Sequence, residues 1–267
     1  MTNSPVLNWI KEQIPSLCSL IIKDKENKDS VCSLIQLSSG ELVSGSKEII
    51  TIFKIKEKQY EVLKRLNVHE DLVLKIIELK NKNIVSCSND ASIIFYNKDN
   101  MEQNNFKKNT NGGCYTILQI KENEICYIEG NNSTICFYDF QEKKIKSSLA
   151  NISVICRGSL NLIMISENLL LIPGENKISL ININEYKLIR NIEVPGASWL
   201  LGVCMLSENM IIMGSYSKAI YQWKIEGNNL IFISKKDNAH NDNINYLIKL
   251  VNRYIASTSD DSSIYIW

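Results

Sequence analysis

The sequence predicts an all-β domain built from similar sheets repeated along the chain, and three observations support this. The 267 residues contain six segments of the same form, in which short apolar runs alternate with polar turns. These runs are short and rich in β-branched and aromatic residues, which is typical of strands. Several runs, such as Ile93–Tyr96, are apolar at consecutive positions, so both faces of the strand are expected to be covered.

The spacing of the segments predicts how many sheets there are. Their central parts occupy residues 41–53, 83–96, 124–138, 168–181, 209–223 and 253–267. Each ends on a large residue, and successive ends lie 42 to 44 residues apart. Four strands of about six residues with their turns need roughly 40 residues. The period therefore predicts a β-propeller of six four-stranded blades over residues 17–267, or seven blades if the chain is a fragment.

The third apolar run of two segments carries the most specific motif. Ser257–Trp267 has the sequence STSDDSSIYIW, and Ser86–Tyr96 matches it position for position, with Tyr in place of the final Trp. The chain has only two histidines, His69 and His240, and each precedes one of these segments at the same distance. These motifs resemble WD repeats, and the resemblance extends over nearly the whole chain.

The resemblance implies a hydrogen-bonded set of a His, a strand Ser, a turn Asp and a strand Trp within one blade. The matching residues are His240, Ser257, Asp261 and Trp267, and less completely His69, Ser86, Asp90 and Tyr96. A buried Asp must be paired and a buried His must place both ring nitrogens, so we interpret the sets as structural. Because they occupy both histidines, we do not expect Ser–His–acid catalysis.

The resemblance also implies the face on which partners bind. That face bears the loops before the first strand of each blade and the turns between the second and third strands. The turn positions are Lys47, Asn89, Asn131, Glu175, Tyr216 and Asp260, and the loops add Tyr115, Arg157 and Trp199. Trp199 and Tyr216 belong to the fifth repeat, which has lost both the His and the Asp, so this repeat is expected to specialise in binding. The alternative is that Trp199 fills a gap between blades.

Composition and charge argue against several classes of function. Thirty basic and 29 acidic residues give a net charge of +1, without the concentrated basic surface that nucleic-acid binding needs. The eight cysteines form no Cys-x-x-Cys pair, which favours buried, reduced thiols over a zinc site. No secretory signal or apolar run of about 20 residues is present, so we expect a cytoplasmic protein without a membrane span.

These observations together predict an interaction scaffold that binds protein or peptide partners. It is expected to need no cofactor and no metal, and not to be an enzyme. The alternative is a small-ligand-binding or hydrolytic protein with a polar or metal site in the central channel.

The two ends of the chain suggest how a propeller would close. The last repeat stops at Trp267, at the end of its third strand, and an extra apolar run at 17–22 precedes the first repeat. The resemblance implies that this run fills the vacant outer position of the last blade. Residues 1–16 are predicted to contain a short helix at 4–14, since Pro5 suits a first helical position and Pro15 would stop it. A vestigial strand ending at Trp9 is the alternative.

Overall fold

The computed structural model shows a domain whose described elements are all β-strands. It describes residues 30–56, 59–97, 103–130, 134–150, 152, 161–250 and 254–267. The predicted helix at 4–14 and the predicted closing strand at 17–22 lie outside the described residues. Within those residues, no helix has the length and hydrophobicity needed to cross a membrane.

The first sheet contains seven strands, each antiparallel to the next in the chain. They are β1 (Ser33–Gln36), β2 (Leu42–Gly45), β3 (Lys47–Lys56), β4 (Gln59–Glu78), β5 (Ile84–Ser88), β6 (Ser92–Tyr96) and β7 (Gln103–Asn109). Strand β4 is 20 residues long and serves two repeats. Its first half pairs with β3, with Arg65 opposite Thr51, and its second half pairs with β5, with Ile76 opposite Ser86.

Four smaller antiparallel sheets follow, one for each of the remaining repeats. The second sheet has β8 (Cys114–Lys121), β9 (Glu124–Glu129), β10 (Thr134–Asp139) and β11 (Lys144–Leu149). The third has β12 (Ile163–Met164), β13 (Leu169–Pro173), β14 (Lys177–Asn182) and β15 (Lys187–Glu193). The fourth has β16 (Leu200–Ser207), β17 (Met210–Ser215), β18 (Ile220–Glu226) and β19 (Asn229–Lys236). The fifth has β20 (Ile244–Lys249), β21 (Ile255–Ser259) and β22 (Ile264–Ile266).

The all-β propeller class is confirmed, but the prediction of six blades, or of seven for a longer chain, is wrong. The described residues form five sheets, because the first two repeats share one. The physical reason lies in β4, which contains no Gly or Pro to interrupt it. Its side chains alternate between more and less exposed positions along the first half, so the chain stays extended from one repeat into the next.

The sheets pack face to face, and this buries their central strands on both sides. Every residue of β5, β6 and β13 is buried, as the consecutive apolar runs predicted. Separate apolar clusters join consecutive sheets. The clusters contain Val85 with Ile125, Phe137 with Leu170, Leu171 with Met213, and Ile212 with Leu247. Each sheet therefore depends on its neighbours for its core.

Strand β22 ends the series with an exposed outer side. Ile264 is 68% exposed, and β21 is the strand that pairs with β22 among the described residues. Ile255 and Trp267 exchange both backbone hydrogen bonds, so the amides of the alternate residues Ile264 and Ile266 point away from β21. An outer strand could pair there, and pairing by residues 17–22 stays a prediction.

If residues 17–22 pair with β22, deleting residues 1–24 should speed amide exchange in β22, because the outward N–H groups would lose their acceptors. Hydrogen–deuterium exchange of the peptide covering 260–267 measures this. Exchange in β17, in the middle of the fourth sheet, serves as the control and should not change. Equal exchange of β22 in the full-length and shortened chains would show that another segment, or none, covers this edge.

Candidate functional site

The first hydrogen-bonded set lies inside the first sheet. His69 Nδ1 is 2.9 Å from Asp90 Oδ2, and His69 Nε2 is 2.7 Å from Ser86 Oγ. The Tyr96 hydroxyl lies 3.1 Å from the same Ser86 oxygen. With Asp90 accepting from Nδ1–H, each group donates to the next in the order Tyr96, Ser86, His69, Asp90. One polar chain thus crosses three strands of the sheet without an unpaired group.

The fifth sheet repeats this arrangement with Trp in the place of Tyr. Trp267 Nε1 donates to Ser257 Oγ over 2.8 Å, and Ser257 lies 2.6 Å from His240 Nε2. His240 Nδ1 is 3.0 Å from Asp261 Oδ2, which also accepts from the Asn241 amide over 2.8 Å. The structure thus brings together all eight residues of the two predicted sets.

Both sets have the Ser–His–Asp connectivity of hydrolytic triads, but their burial argues for a structural role. His69 and His240 are 3% and 2% exposed, and both serine side chains are fully buried. Each serine oxygen already interacts with Tyr96 or Trp267. A substrate cannot approach these hydroxyls without separating the strands, so the chains fix the turns instead.

Hydrogen bonds stabilise the ionised form of the aspartate in each set. Burial by itself raises the pKa of Asp90, but hydrogen bonds from Ser92, the Glu70 amide and His69 outweigh it and leave the pKa below its usual value. Asp261 has its pKa lowered in the same way, against the effect of burial, by Ser263, the Asn241 amide and His240. Burial raises the pKa of Tyr96, which keeps its hydroxyl protonated as the first donor. Both aspartates are therefore ionised at neutral pH.

The second, third and fourth sheets have no such polar set, and a larger side chain replaces the central serine. The position of Ser86 is taken by Tyr127, Ile172 and Met213 in the second, third and fourth sheets, as the strand registers show. All three side chains are buried. In the fourth sheet this leaves the Trp223 indole N–H without a hydrogen-bond partner among the described residues. These sheets hold their turns without an internal His–Asp pair.

The predicted binding positions lie on the turns between second and third strands and on the loops before first strands, and only Asn89 and Asp260 belong to repeats that carry a polar set. Lys47, Asn89, Glu175 and Asp260 are exposed, and Tyr115 is half-buried. Asn89 and Asp260 bond to neighbouring turn residues, with Asn89 Nδ2 2.7 Å from Asp71 Oδ2 and Asp260 Oδ2 3.0 Å from Asn243 Nδ2. Two further predicted positions, Asn131 and Arg157, lie outside the described residues.

Trp199 directly precedes β16 and Tyr216 directly follows β17, and the two side chains are in contact. Their ring centroids are 5.3 Å apart with the planes tilted by 39°, and both side chains are half-buried. The Tyr216 amide donates to the Trp199 carbonyl over 3.1 Å, and the Tyr216 ring packs against the cluster that contains Leu170 and Leu201. Trp199 has a φ of 33°, in the left-handed region that bulky residues rarely adopt. The pair is neither fully buried nor on opposite faces.

A contact that the sequence did not predict crosses between the first and third sheets. Lys75 Nζ, from β4, donates to Asn161 Oδ1 over 3.0 Å, and burial lowers the pKa of this lysine. The contact therefore joins the first sheet to the segment before β12 without involving the second sheet. Among the described residues, no three His, Cys, Asp or Glu side chains are grouped so that they could hold a metal ion.

Comparison with solved structures identifies the fold. A chain in the crystal structure of the mitotic checkpoint complex superposes with a TM-score of 0.77, covering 92% of this chain and 76% of that one at 13% identity. The WD40 β-propeller domain of Doa1 superposes with a TM-score of 0.70, covering 88% and 77% at 15% identity. No protein-family model and no curated protein matches the sequence. The chain thus has the fold of WD40 β-propellers.

Replacing Asp90 with Ala should lower the free energy of unfolding by about 1–3 kcal/mol, because His69 and the Glu70 amide would lose a buried acceptor. Urea denaturation measures this. The control is Asp237→Ala, which removes an exposed carboxylate that pairs with Lys235 and should cost less than about 1 kcal/mol. Similar effects of the two substitutions would show that the buried set does not stabilise the turn.

The contribution of Asp90 should also depend on pH. Since its folded-state pKa is lowered, the unfolded state binds a proton first as pH falls, at about pH 3.9. The stability that the carboxylate provides is therefore fully present above about pH 5 and is lost as the pH falls towards the folded-state pKa. The difference in unfolding free energy between wild type and Asp90→Asn should shrink below about pH 4. A difference that stays constant or grows there would contradict the assignment.

Proposed function

We propose that the chain is an interaction scaffold that binds a protein or peptide partner on the face carrying Trp199 and Tyr216. The half-exposed contact between these two rings is the observation that carries the proposal. Trp and Tyr contribute binding energy most often, since they bury a large area with few rotatable bonds.

The aromatic pair is held in a fixed position before a partner arrives. Tyr216 is anchored by its backbone bonds to Ser198 and Trp199 and by the core behind its ring. Ser215 and Ser217 tie the adjoining turn, with their Oγ atoms 2.9 Å apart. Binding a partner then costs little conformational entropy, and it does not require this surface to rearrange.

The exposed turn residues extend this surface around the same face. Lys47, Glu175 and Asp260 carry charges of both signs, as the polar rim of a protein interface does. The similar chain from the mitotic checkpoint complex is part of a protein complex, and we propose a partner of the same kind here. We also propose a cytoplasmic location, since none of the described cysteines forms a disulfide and Cys87, Cys114, Cys126 and Cys136 are buried.

Trp199→Ala should abolish recovery of the partner while lowering the melting temperature by no more than a few degrees, because the ring is only half-buried. Tagged wild-type and variant chains are expressed in the native cell, and co-purifying proteins are quantified by mass spectrometry. The matched control is Tyr254→Ala, which removes an exposed aromatic at the opposite end of β21 from its turn. Partners retained by Trp199→Ala would refute the proposed surface, whereas partners lost from both variants would point to unfolding.

A further inference from the structure

We propose that a cavity on the second sheet binds a cationic group on an aliphatic stem, a guanidinium or an ammonium, with Glu129 as its counter-ion. This site is separate from the Trp199–Tyr216 surface and does not rest on the function proposed for it. The cavity has a volume of about 270 Å³ and is partly open. Its main lining residues are Asn111, Glu129, Thr134, Cys136, Ile145 and Ser148.

The cavity lies on the side of the second sheet that faces the first. Cys136, in its wall, belongs to the apolar cluster that those two sheets share. Asn111 comes from the loop that connects β7 of the first sheet to β8 of the second. Thr134 and Ser148 belong to β10 and to the outer strand β11, and Cys136 and Ser148 are opposite each other in the ladder. The lining residues therefore come from the second sheet and from the loop that leads into it.

Glu129 breaks the repeat at its position. The last residue of the second strand, or the one after it, is serine in four repeats (Ser46, Ser88, Ser215 and Ser259) and glycine in one (Gly174). These serines secure their turns, as when Ser88 Oγ donates to the Asp71 carbonyl over 3.1 Å. Glu129 instead accepts hydrogen bonds from Asn111, in the loop before β8. It therefore secures this loop as an acceptor and brings a carboxylate to a position where four other repeats have a neutral hydroxyl.

The charge of Glu129 is incompletely balanced. The residue is 4% exposed, and its oxygens accept from the backbone N and the Nδ2 of Asn111, over 3.1 and 3.2 Å. Both donors are neutral, and no described Lys, Arg or His forms an ion pair with Glu129. A carboxylate removed from water is stabilised strongly by a cation that enters the same site.

The size and lining of the cavity select the ligand. Small-molecule sites usually measure about 300–1,000 Å³, so a volume of about 270 Å³ suits a single side chain or a similarly small amine. The Thr134 and Ser148 hydroxyls can accept further N–H groups beside the carboxylate, which matches the five donors of a guanidinium. Ile145, 45% exposed at the rim, offers an apolar contact for the aliphatic stem.

Two glycines hold Asn111 in place for this role. Gly130 has a φ of 68°, and a Cβ there would lie 2.5 Å from the Asn111 carbonyl oxygen. Gly112 has a φ of 102°, and a Cβ there would lie 3.0 Å from the Gly130 Cα. Only glycines allow the two loops to approach so closely. The approach places both donors of Asn111 on Glu129 before any ligand binds.

The test titrates the purified chain with the blocked tripeptide acetyl-Gly-Arg-Gly-amide and follows the amide signals of the second sheet by NMR. The same tripeptide with citrulline in place of arginine has the same shape without the charge. Binding of the arginine peptide is expected, with at least about tenfold weaker binding of the citrulline peptide. Glu129→Gln should weaken binding of the arginine peptide by a similar factor. The matched control is Glu167→Gln, which removes the same charge from an exposed turn. This variant should bind the arginine peptide as tightly as the wild type does.

A second variant, Ser148→Leu, keeps the carboxylate and fills the cavity from the half-exposed outer strand, and it should abolish binding. Agmatine, a free guanidinium, distinguishes the sources of the ligand: affinity equal to that of the peptide indicates a small amine, and tenfold weaker affinity indicates a protein side chain. Trp199→Ala should leave tripeptide binding unchanged, so failure of this site and failure of the aromatic surface are separable. No binding of either guanidinium, or equal binding by wild type and Glu129→Gln, would overturn the proposal.

Discussion

The fold depends on the burial of each sheet between its neighbours. Strands such as β5, β6 and β13 are buried at every position, so no single sheet could keep its apolar residues out of water. At roughly 25 cal/mol per Å² of apolar surface, this face-to-face packing is the dominant stabilising term. The turns and outer strands are then free to vary, because they contribute least to the shared core.

A second constraint follows from the first, since a polar group inside a strand that is covered on both faces costs free energy unless it finds a partner there. In the first and fifth sheets, a complete series of hydrogen-bonded side chains ends on Asp90 and on Asp261. The second and fourth sheets replace the central serine with Tyr127 or Met213, and the Tyr127 hydroxyl and the Trp223 indole N–H have no hydrogen-bond partner among the described residues. These two sheets also carry Glu129 and the Trp199–Tyr216 pair. We infer that the absence of the His–Asp pair from a turn leaves its residues available for ligands and partners.

The sequence predicted the features that repeat and missed those that depend on a single repeat. The period placed most strands, and the position of the two histidines predicted partners for His69 and His240 that the structure places within 3.0 Å. The number of sheets was wrong, because nothing in a repeat pattern shows that β4 continues unbroken between two repeats. The contact between Lys75 and Asn161 could not be predicted, because 86 residues separate the two and only the packing of the sheets brings them together.

The cavity beside Glu129 did leave a signal in the sequence. Aligning the repeats places this glutamate where four other repeats have serine, which marks it as an exception. Its burial and its contact with Asn111 depend on the approach of Gly112 and Gly130, which is a tertiary feature. Trp199 and Tyr216 were likewise expected on the same face from their shared repeat, but their contact and its half-buried geometry were not.

We propose that partners bind where the repeats have lost the buried His–Asp pair. Hydrogen–deuterium exchange of the purified chain, with and without a partner recovered from the native cell, tests it most directly. With the partner bound, we expect slower exchange in the segments around Trp199 and Tyr216, and no change in the outer strand β19 of the same sheet. Protection of β19, where Ile231, Phe232 and Ile233 are exposed, together with unchanged exchange at the aromatic pair, would contradict it.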